Sequence, residues 1–186
     1  MPGLKVAAPS DPYDAMGLLR TAVADDNPTI FVEHALLYGT RGEVPNDYYS
    51  IPFGEAKVKR QGSDVTLVGT SRMVHVAGQA ADQLAERGIE AEVIDLRTLR
   101  PLDIETVVES VKKTNRAVVI DEAWRTGGFG AEIAASIQEE AFTYLDGPVG
   151  RVCGADVPAP YSGTLEASAI PSPEKVISAL NELFGI

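Results

Sequence analysis

With 186 residues, 45% of them hydrophobic, the chain is long enough for one domain with a real core and some further structure beside it. Its 27 acids against 16 bases give a net charge of -11, which argues against nucleic acid or an anionic membrane as partner. No run reaches the roughly 18 apolar residues of a membrane helix, the opening MPGLKVAAPSDPYD lacks the apolar stretch of a signal peptide, and the single cysteine, Cys153, excludes a disulfide framework within the chain, so the cytoplasm is the expected compartment.

In chain order, LKVAAP (4–9) reads as a short strand and SDPYDAMGLLRTAVADD (10–26) as a helix. Asp11 can cap that helix, Pro12 suits its first turn, and Ala15, Leu18, Leu19, Ala22 and Val23 form one apolar stripe. PTIFVEH (28–34) is a second strand. Two strands and one helix bury too little surface to stand alone, so residues 1–40 read as the tail of a larger unit or as a piece packed on another chain. Residues 41–61 carry two prolines, Pro45 and Pro52, and little periodicity, as a connecting arm does; EAKVKR within it suits an edge strand.

From Gly62 strands alternate with helices. DVTLVGT (64–70), EAEVIDL (90–96), RAVVIDEA (116–123) and VGRVCGA (149–155) are strands. Between and after them, SRMVHVAGQAADQLAERG, PLDIETVVESVKKTN, GFGAEIAASIQEEAF and PSPEKVISALNELF are helices. The helix after Ser71 buries Met73, Val76, Ala77, Ala80 and Leu84; the last has Ser172 as cap and Pro173 in its first turn. This alternation predicts an α/β fold: a mostly parallel sheet with helices on both faces, over 62–186. The polar, Pro-rich GADVPAPYSGTLEASAI before the last helix reads as a surface crossing, with Tyr161 and Leu165 as anchors for it or for a partner.

Four stretches offer chemistry. DEAWRTGGFGAE (121–132) resembles a phosphate loop only loosely: the G-x-G-x-x-G spacing fails and no Gly-Lys-Ser/Thr follows. A tight strand-to-helix joint near an interface, contact with an active site completed elsewhere, and a phosphate cradle on the helix N-terminus all remain open, the first being favoured. VIDLRTLRPLD (93–103) places Asp95, Arg97 and Arg100 at the carboxyl end of a strand, where open sheets bind ligands. Either the arginines grip an anion or they pair with Asp95 and fix the turn; the pairing is favoured. His34 and His75 belong to no metal-ligand pattern, no nucleophile elbow exists, and Cys153 reads as a buried thiol. TAVADDNPT (21–29) combines the free carbonyls of a helix end with the side-chain oxygens of Asp25, Asp26 and Asn27, a donor set that suits a hard cation; the competing reading is a polar helix exit before Pro28.

The stretches PGLKVAAPSDPYDAMGLL, DDNPTIFVEHALLY, VPNDYYSIPFGEAKVKRQGSDVTLV, VIDLRTLRPLD, DEAWRTGGFGAEI, RVCGADVPAPYSGTLE and IPSPEKV, in this order and spacing from Pro2 to Phe184, resemble the beta subunit of the thiamine-diphosphate-dependent 2-oxo acid dehydrogenase E1 component. The resemblance implies a β-α-β tail of the pyrimidine-binding domain (1–40), an arm (41–61) and a transketolase C-terminal-like domain (62–186). It implies thiamine diphosphate and Mg2+ in the parent enzyme, though not on this chain alone, because the family's pyrimidine-activating glutamate and active-site histidine lie upstream of PGLKV. His34 falls in a different motif and does not replace that histidine. It also implies a potassium site using the helix-end carbonyl of Ala22 and oxygens of Asp25 and Asn27, with further ligands from elsewhere. The implied partners are the E1 alpha subunit, a second E1 beta subunit and the E2 acyltransferase, and WRTGGFG becomes a turn near subunit interfaces. The implied function is a share in oxidative decarboxylation of pyruvate or a related 2-oxo acid with acyl transfer to lipoyl-E2, the chain being inactive alone. A non-catalytic assembly module with the same fold is the rival; a piece of a transketolase or deoxyxylulose phosphate synthase is a third, disfavoured by DVPAPYSGTLE.

Overall fold

The computed structural model describes residues 3–186. In chain order the elements are β1 (Lys5–Ala7), α1 (Pro12–Ala24), β2 (Thr29–Phe31), β3 (Lys57–Arg60), β4 (Val65–Gly69), α2 (Arg72–Ala85), β5 (Ala91–Asp95), β6 (Thr98–Arg100), α3 (Ile104–Thr114), β7 (Ala117–Trp124), α4 (Gly130–Ala141), β8 (Gly150–Gly154), α5 (Gly163–Ala169) and α6 (Pro173–Phe184). The large sheet runs β3-β5-β4-β7-β8, parallel except for β3, which lies antiparallel along its edge. The α/β expectation holds.

Alternation along each strand divides the core in two. Val65 and Leu67 of β4, Ala91 and Val93 of β5, and Val118 and Ile120 of β7 face α2 and α6, where Met73, Ala77, Leu84, Val176 and Leu180 close the layer. Val68, Ile94 and Val119 point the other way, onto Val107, Val111, Ile133 and Ile137 of α3 and α4. Each large apolar side chain so buried contributes roughly 1.5–3 kcal/mol. The helix ends follow from sequence: Asp11 accepts from the Asp14 N–H at 2.7 Å, Asp103 from Thr106 at 3.1 Å and Ser172 from Lys175 at 3.4 Å. Asn115, in the left-handed region at φ 61°, ends α3 after Lys112 and Lys113.

Two elements escaped the sequence reading. Residues 98–100, taken as part of a turn, form β6, and β1 pairs with it antiparallel while β2 pairs parallel on the other side. The amino-terminal unit is thus stitched to its own chain. The helix α5 lies within the segment read as an irregular crossing; it is short and carries no buried residue, which explains its weak signal. β2 is also shorter than the run 28–34. The arm lies over α1: Ile51, buried, hydrogen-bonds to Gly17 O at 3.1 Å, and Tyr49 stacks on Tyr13 with ring centroids 4.5 Å apart. Of the α1 stripe only Leu18 is fully buried. Leu19, 45% exposed, and Val23, 80% exposed, face out, as do Ile30, Val32 and Leu36.

Candidate functional site

The carboxyl edge of the sheet carries the chemistry-bearing residues, and its centre is the turn after β7. Asp121 reaches from the strand to the first turn of α4: Oδ2 accepts from the Gly130 N–H at 2.7 Å and Oδ1 from the Ala123 N–H at 3.1 Å. A Cβ on Gly130 would stand 2.9 Å from Asp121 Cβ and 3.1 Å from its Oδ2, and one on Gly128 would run into the Trp124 carbonyl oxygen. The glycines therefore let helix and strand approach closely, and the positive end of α4 is met by the chain's own carboxylate. This arrangement favours the joint over the phosphate cradle. Asp121→Ala is expected to cost about 1–2 kcal/mol in a urea unfolding titration, with Asp121→Asn retaining much of that, because the amide oxygen can still accept.

The next residue, Glu122, was not singled out from sequence. Its Oε2 lies 2.9 Å from His34 Nε2 and its Oε1 3.5 Å from Arg72 Nη1. The Leu36 N–H donates to His34 Nδ1 at 3.2 Å, so the proton of the neutral ring sits on Nε2 and is given to Glu122. Nδ1 thus fixes the ring on its own segment, Nε2 ties the amino-terminal unit to β7, and Glu122 links that contact on to Arg72 of α2. His75, the other histidine, contacts the Ser10 carbonyl at 2.7 Å. Beside His34 a cavity of about 270 Å³ opens between Pro9, Ser10, Leu37 and Tyr38.

Around Asp95 the expected pairing is corrected. Asp95 Oδ1 accepts the Arg97 backbone N–H at 2.9 Å, and its Oδ2 accepts the Ser10 hydroxyl; no guanidinium pairs with it. Arg97, turned by φ 58°, instead places Nη2 2.6 Å from Asp14 Oδ1, a carboxylate with no exposed side-chain surface. Arg100 is exposed and does not pair with Asp95. Burial pushes the Asp95 carboxyl up to about 6, against the lowering effect of its Ser10 and Arg97 hydrogen bonds. The burial of Asp14 was missed, yet the residue stands four before Leu18, on the buried side of α1, and an acid there signals a buried partner.

At the far end of α1, Lys5 Nζ pairs with Asp25 Oδ2 while Asp25 Oδ1 accepts from Asn27 N at 2.8 Å and Nδ2 at 3.0 Å. The Lys5 ammonium, with these bonds, holds the Asp25 carboxyl down at about 2. Its side chain is thus engaged. The main-chain carbonyls of Ala22, Asp25 and Asn27 accept no hydrogen bond among the described residues, which suits a cation held by backbone oxygen. Cys153 is half-buried, less deeply than expected of a core thiol, and Tyr161 and Leu165 are exposed rather than packed down. Among the described residues no three His, Cys, Asp or Glu side chains converge to hold a metal ion, and no helix is long and apolar enough to cross a membrane.

A family model described as the transketolase C-terminal domain matches residues 54–176. The chain belongs to that family. A second model, the transketolase pyrimidine binding domain, matches residues 1–40. The pyruvate dehydrogenase E1 component subunit beta of Rickettsia conorii is 50% identical over 98% of this chain and 56% of its own length. The mitochondrial counterpart of Dictyostelium discoideum is 49% identical over 96% of this chain and 51% of its own length. The beta subunit of acetoin:2,6-dichlorophenolindophenol oxidoreductase of Bacillus subtilis is 46% identical, covering 100% of this chain and 54% of its own. A solved structure described as a split gene transketolase, inactive beta4 tetramer, aligns with a TM-score of 0.82 and 27% identity over 100% of this chain and 58% of that one. The resemblance to E1 beta subunits is therefore one of homology. The chain spans about half the length of the curated relatives it matches.

Proposed function

We propose that this chain forms the carboxyl-terminal part of an E1 beta-type subunit in a 2-oxo acid dehydrogenase complex. The near-complete cover of this chain at 49–50% identity to pyruvate dehydrogenase E1 beta subunits carries the reading. In the assembled enzyme the reaction is oxidative decarboxylation of pyruvate or a related 2-oxo acid, with the acyl group passed to lipoyl-E2. Thiamine diphosphate with Mg2+ supplies the nucleophilic carbon there. This chain's residues contribute subunit contacts and a rigid platform: Asp121 holds the α4 joint, and His34 with Glu122 holds the amino-terminal unit on the sheet. The partners are the E1 alpha subunit, a second beta subunit and the E2 acyltransferase. The outward-facing Leu19, Val23, Ile30 and Leu36 supply an apolar surface for such contacts. A potassium ion is assigned to the carbonyls of Ala22, Asp25 and Asn27, with the remaining ligands from outside this chain.

Alone, the chain is inactive. The fold of a protein described as an inactive beta4 tetramer, matched over this whole chain, supports that statement and equally the rival reading of a non-catalytic assembly module. Thermal unfolding tests the assignment. Thiamine diphosphate with Mg2+ is expected to leave the melting temperature of the isolated chain unchanged, since a ligand stabilises only a state that binds it; a rise of several degrees would contradict it. Co-expression with an E1 alpha subunit and the amino-terminal half of a related beta subunit is then expected to give a complex turning over pyruvate, a branched 2-oxo acid or acetoin. A stable complex without turnover favours the assembly module. In that complex, replacing potassium by choline at equal ionic strength is expected to lower the melting temperature; no change would remove the cation assignment.

A further inference from the structure

The ends of β7 and β8 hold two arginines against each other. Arg125 Nη1 donates to the Arg151 carbonyl at 2.9 Å, and Arg151 Nη1 donates back to the Arg125 carbonyl at 3.1 Å. The Arg125 N–H is tied to the Gly154 carbonyl at 3.2 Å, so the backbone beneath is fixed. Neither guanidinium forms an ion pair with a carboxylate among the described residues, although half of the chain's lysines and arginines do. Two like charges are thus kept adjacent by neutral carbonyls, an arrangement that a further anion bridging both would favour. Most of the five N–H donors of each remain available, in the planar fork that suits phosphate and carboxylate oxygens.

The pair lines a cavity of about 370 Å³ whose other charged groups are Asp156, Lys175 and Glu182. Asp156 is already engaged by Thr126, through its N–H at 3.1 Å and its hydroxyl at 2.8 Å. Lys175 caps the carbonyls of Ser168, in the last turn of α5, and Ile170, just after it, and adds its charge at the wall. Three cations against two acids stand here in a chain of net charge -11. The volume is in the range of small-molecule sites.

We propose that Arg125 and Arg151 form a binding site for the oxyanion group, phosphate or carboxylate, of a small molecule in this cavity. The proposal rests on the local geometry and is independent of the assembly reading above.

Cys153 lines the same cavity and is the chain's only cysteine, so its alkylation reports on occupancy without a label. Burial pushes its thiol up, so the assay runs at pH 9 with iodoacetamide. At constant ionic strength, inorganic phosphate or succinate is expected to slow alkylation about threefold at twice its dissociation constant, beyond any effect of chloride. Protection by phosphate assigns a phosphate-bearing ligand, and protection by succinate a carboxylate. The double variant R125Q/R151Q loses the protection, while Arg125→Lys, which keeps charge without the fork, retains only part of it. Should the double variant fail to fold, the unaltered chain still decides. Iodoacetate is then expected to gain on iodoacetamide by about tenfold relative to a free thiol at low salt, the gain vanishing at high salt. Equal rates in phosphate, succinate and chloride, or no preference for the anionic reagent, would overturn the proposal.

Discussion

Arg97→Ala is expected to destabilise the chain by roughly 3–5 kcal/mol, the cost of leaving a buried carboxylate without its partner. Asp14 has no exposed side-chain surface, and Arg97 holds it at 2.6 Å. Without the guanidinium, the cation remaining within 4 Å among the described residues is Lys59, whose Nζ lies 3.7 Å from Asp14 Oδ2. Alanine accepts the same φ of 58° no worse than arginine does, so the loss reports the ion pair rather than new backbone strain. Urea unfolding followed by far-ultraviolet circular dichroism measures it. Because the pair joins α1 to the segment leading into β6, limited proteolysis within 39–50 is also expected to accelerate. The double replacement Asp14→Leu with Arg97→Met should recover most of the stability, since it removes both desolvated charges together. A single variant within about 0.5 kcal/mol of the parent would mean that water or Lys59 compensates Asp14.

Asp95→Asn is expected to stabilise the chain at pH 7, with a gain that disappears in acid. Folding raises the Asp95 carboxyl from an ordinary 3.8 to about 6. The folded state therefore holds this proton more tightly than the unfolded chain does. Between about pH 4 and pH 6 the unfolded state binds fewer protons, so stability falls as pH rises through that window. Above it the ionised, buried carboxylate costs roughly 3 kcal/mol, two pKa units at 1.36 kcal/mol each. Asparagine keeps the acceptor for the Arg97 N–H and offers Nδ2 to the Ser10 hydroxyl, so the hydrogen bonds survive with roles exchanged. Unfolding free energies of parent and variant, measured from pH 4 to pH 8, should coincide at the acid end and diverge by roughly 2–3 kcal/mol at neutrality. A constant difference across that range would show that Asp95 does not titrate there. Besides burial, the groups that set this behaviour are Ser10 before α1, the Arg97 N–H after β5, Asp14 within α1 and Lys59 on β3.

Both variants act at the seam between the amino-terminal unit and the sheet, and that seam also divides what was legible in the chain from what was not. Local patterns carry their own physical cause. Asp11 and Ser172 precede apolar periodic runs and cap the helices they were expected to cap, and Asp103 caps α3 in the same way, because a cap needs only its own next three residues. The alternation of Val, Leu and Ile with helical stripes foretold a parallel sheet covered on both faces, since a strand buried on both sides must be apolar throughout. The family motifs extended that reading to homology with E1 beta subunits.

Long-range partners had no such local signature. Whether Arg97 would meet Asp95, two residues away, or Asp14, across the fold, depends on where α1 lies over the sheet, and no spacing rule contains that information. The three residues of β6 become a strand only because β1 arrives beside them. Asp121 turned out to be the anion at the α4 N-terminus once the strand delivered it there, and Arg125 and Arg151 share a cavity only because β7 and β8 are neighbours. The sequence by itself determined which segments are helices and strands, which faces are apolar, and which family the chain resembles, since each of these follows from residues within a few positions of one another. The tertiary structure alone decided which charges are buried together, which edge is stitched to which, and which surfaces are left open, because those depend on packing between segments that no local spacing rule connects.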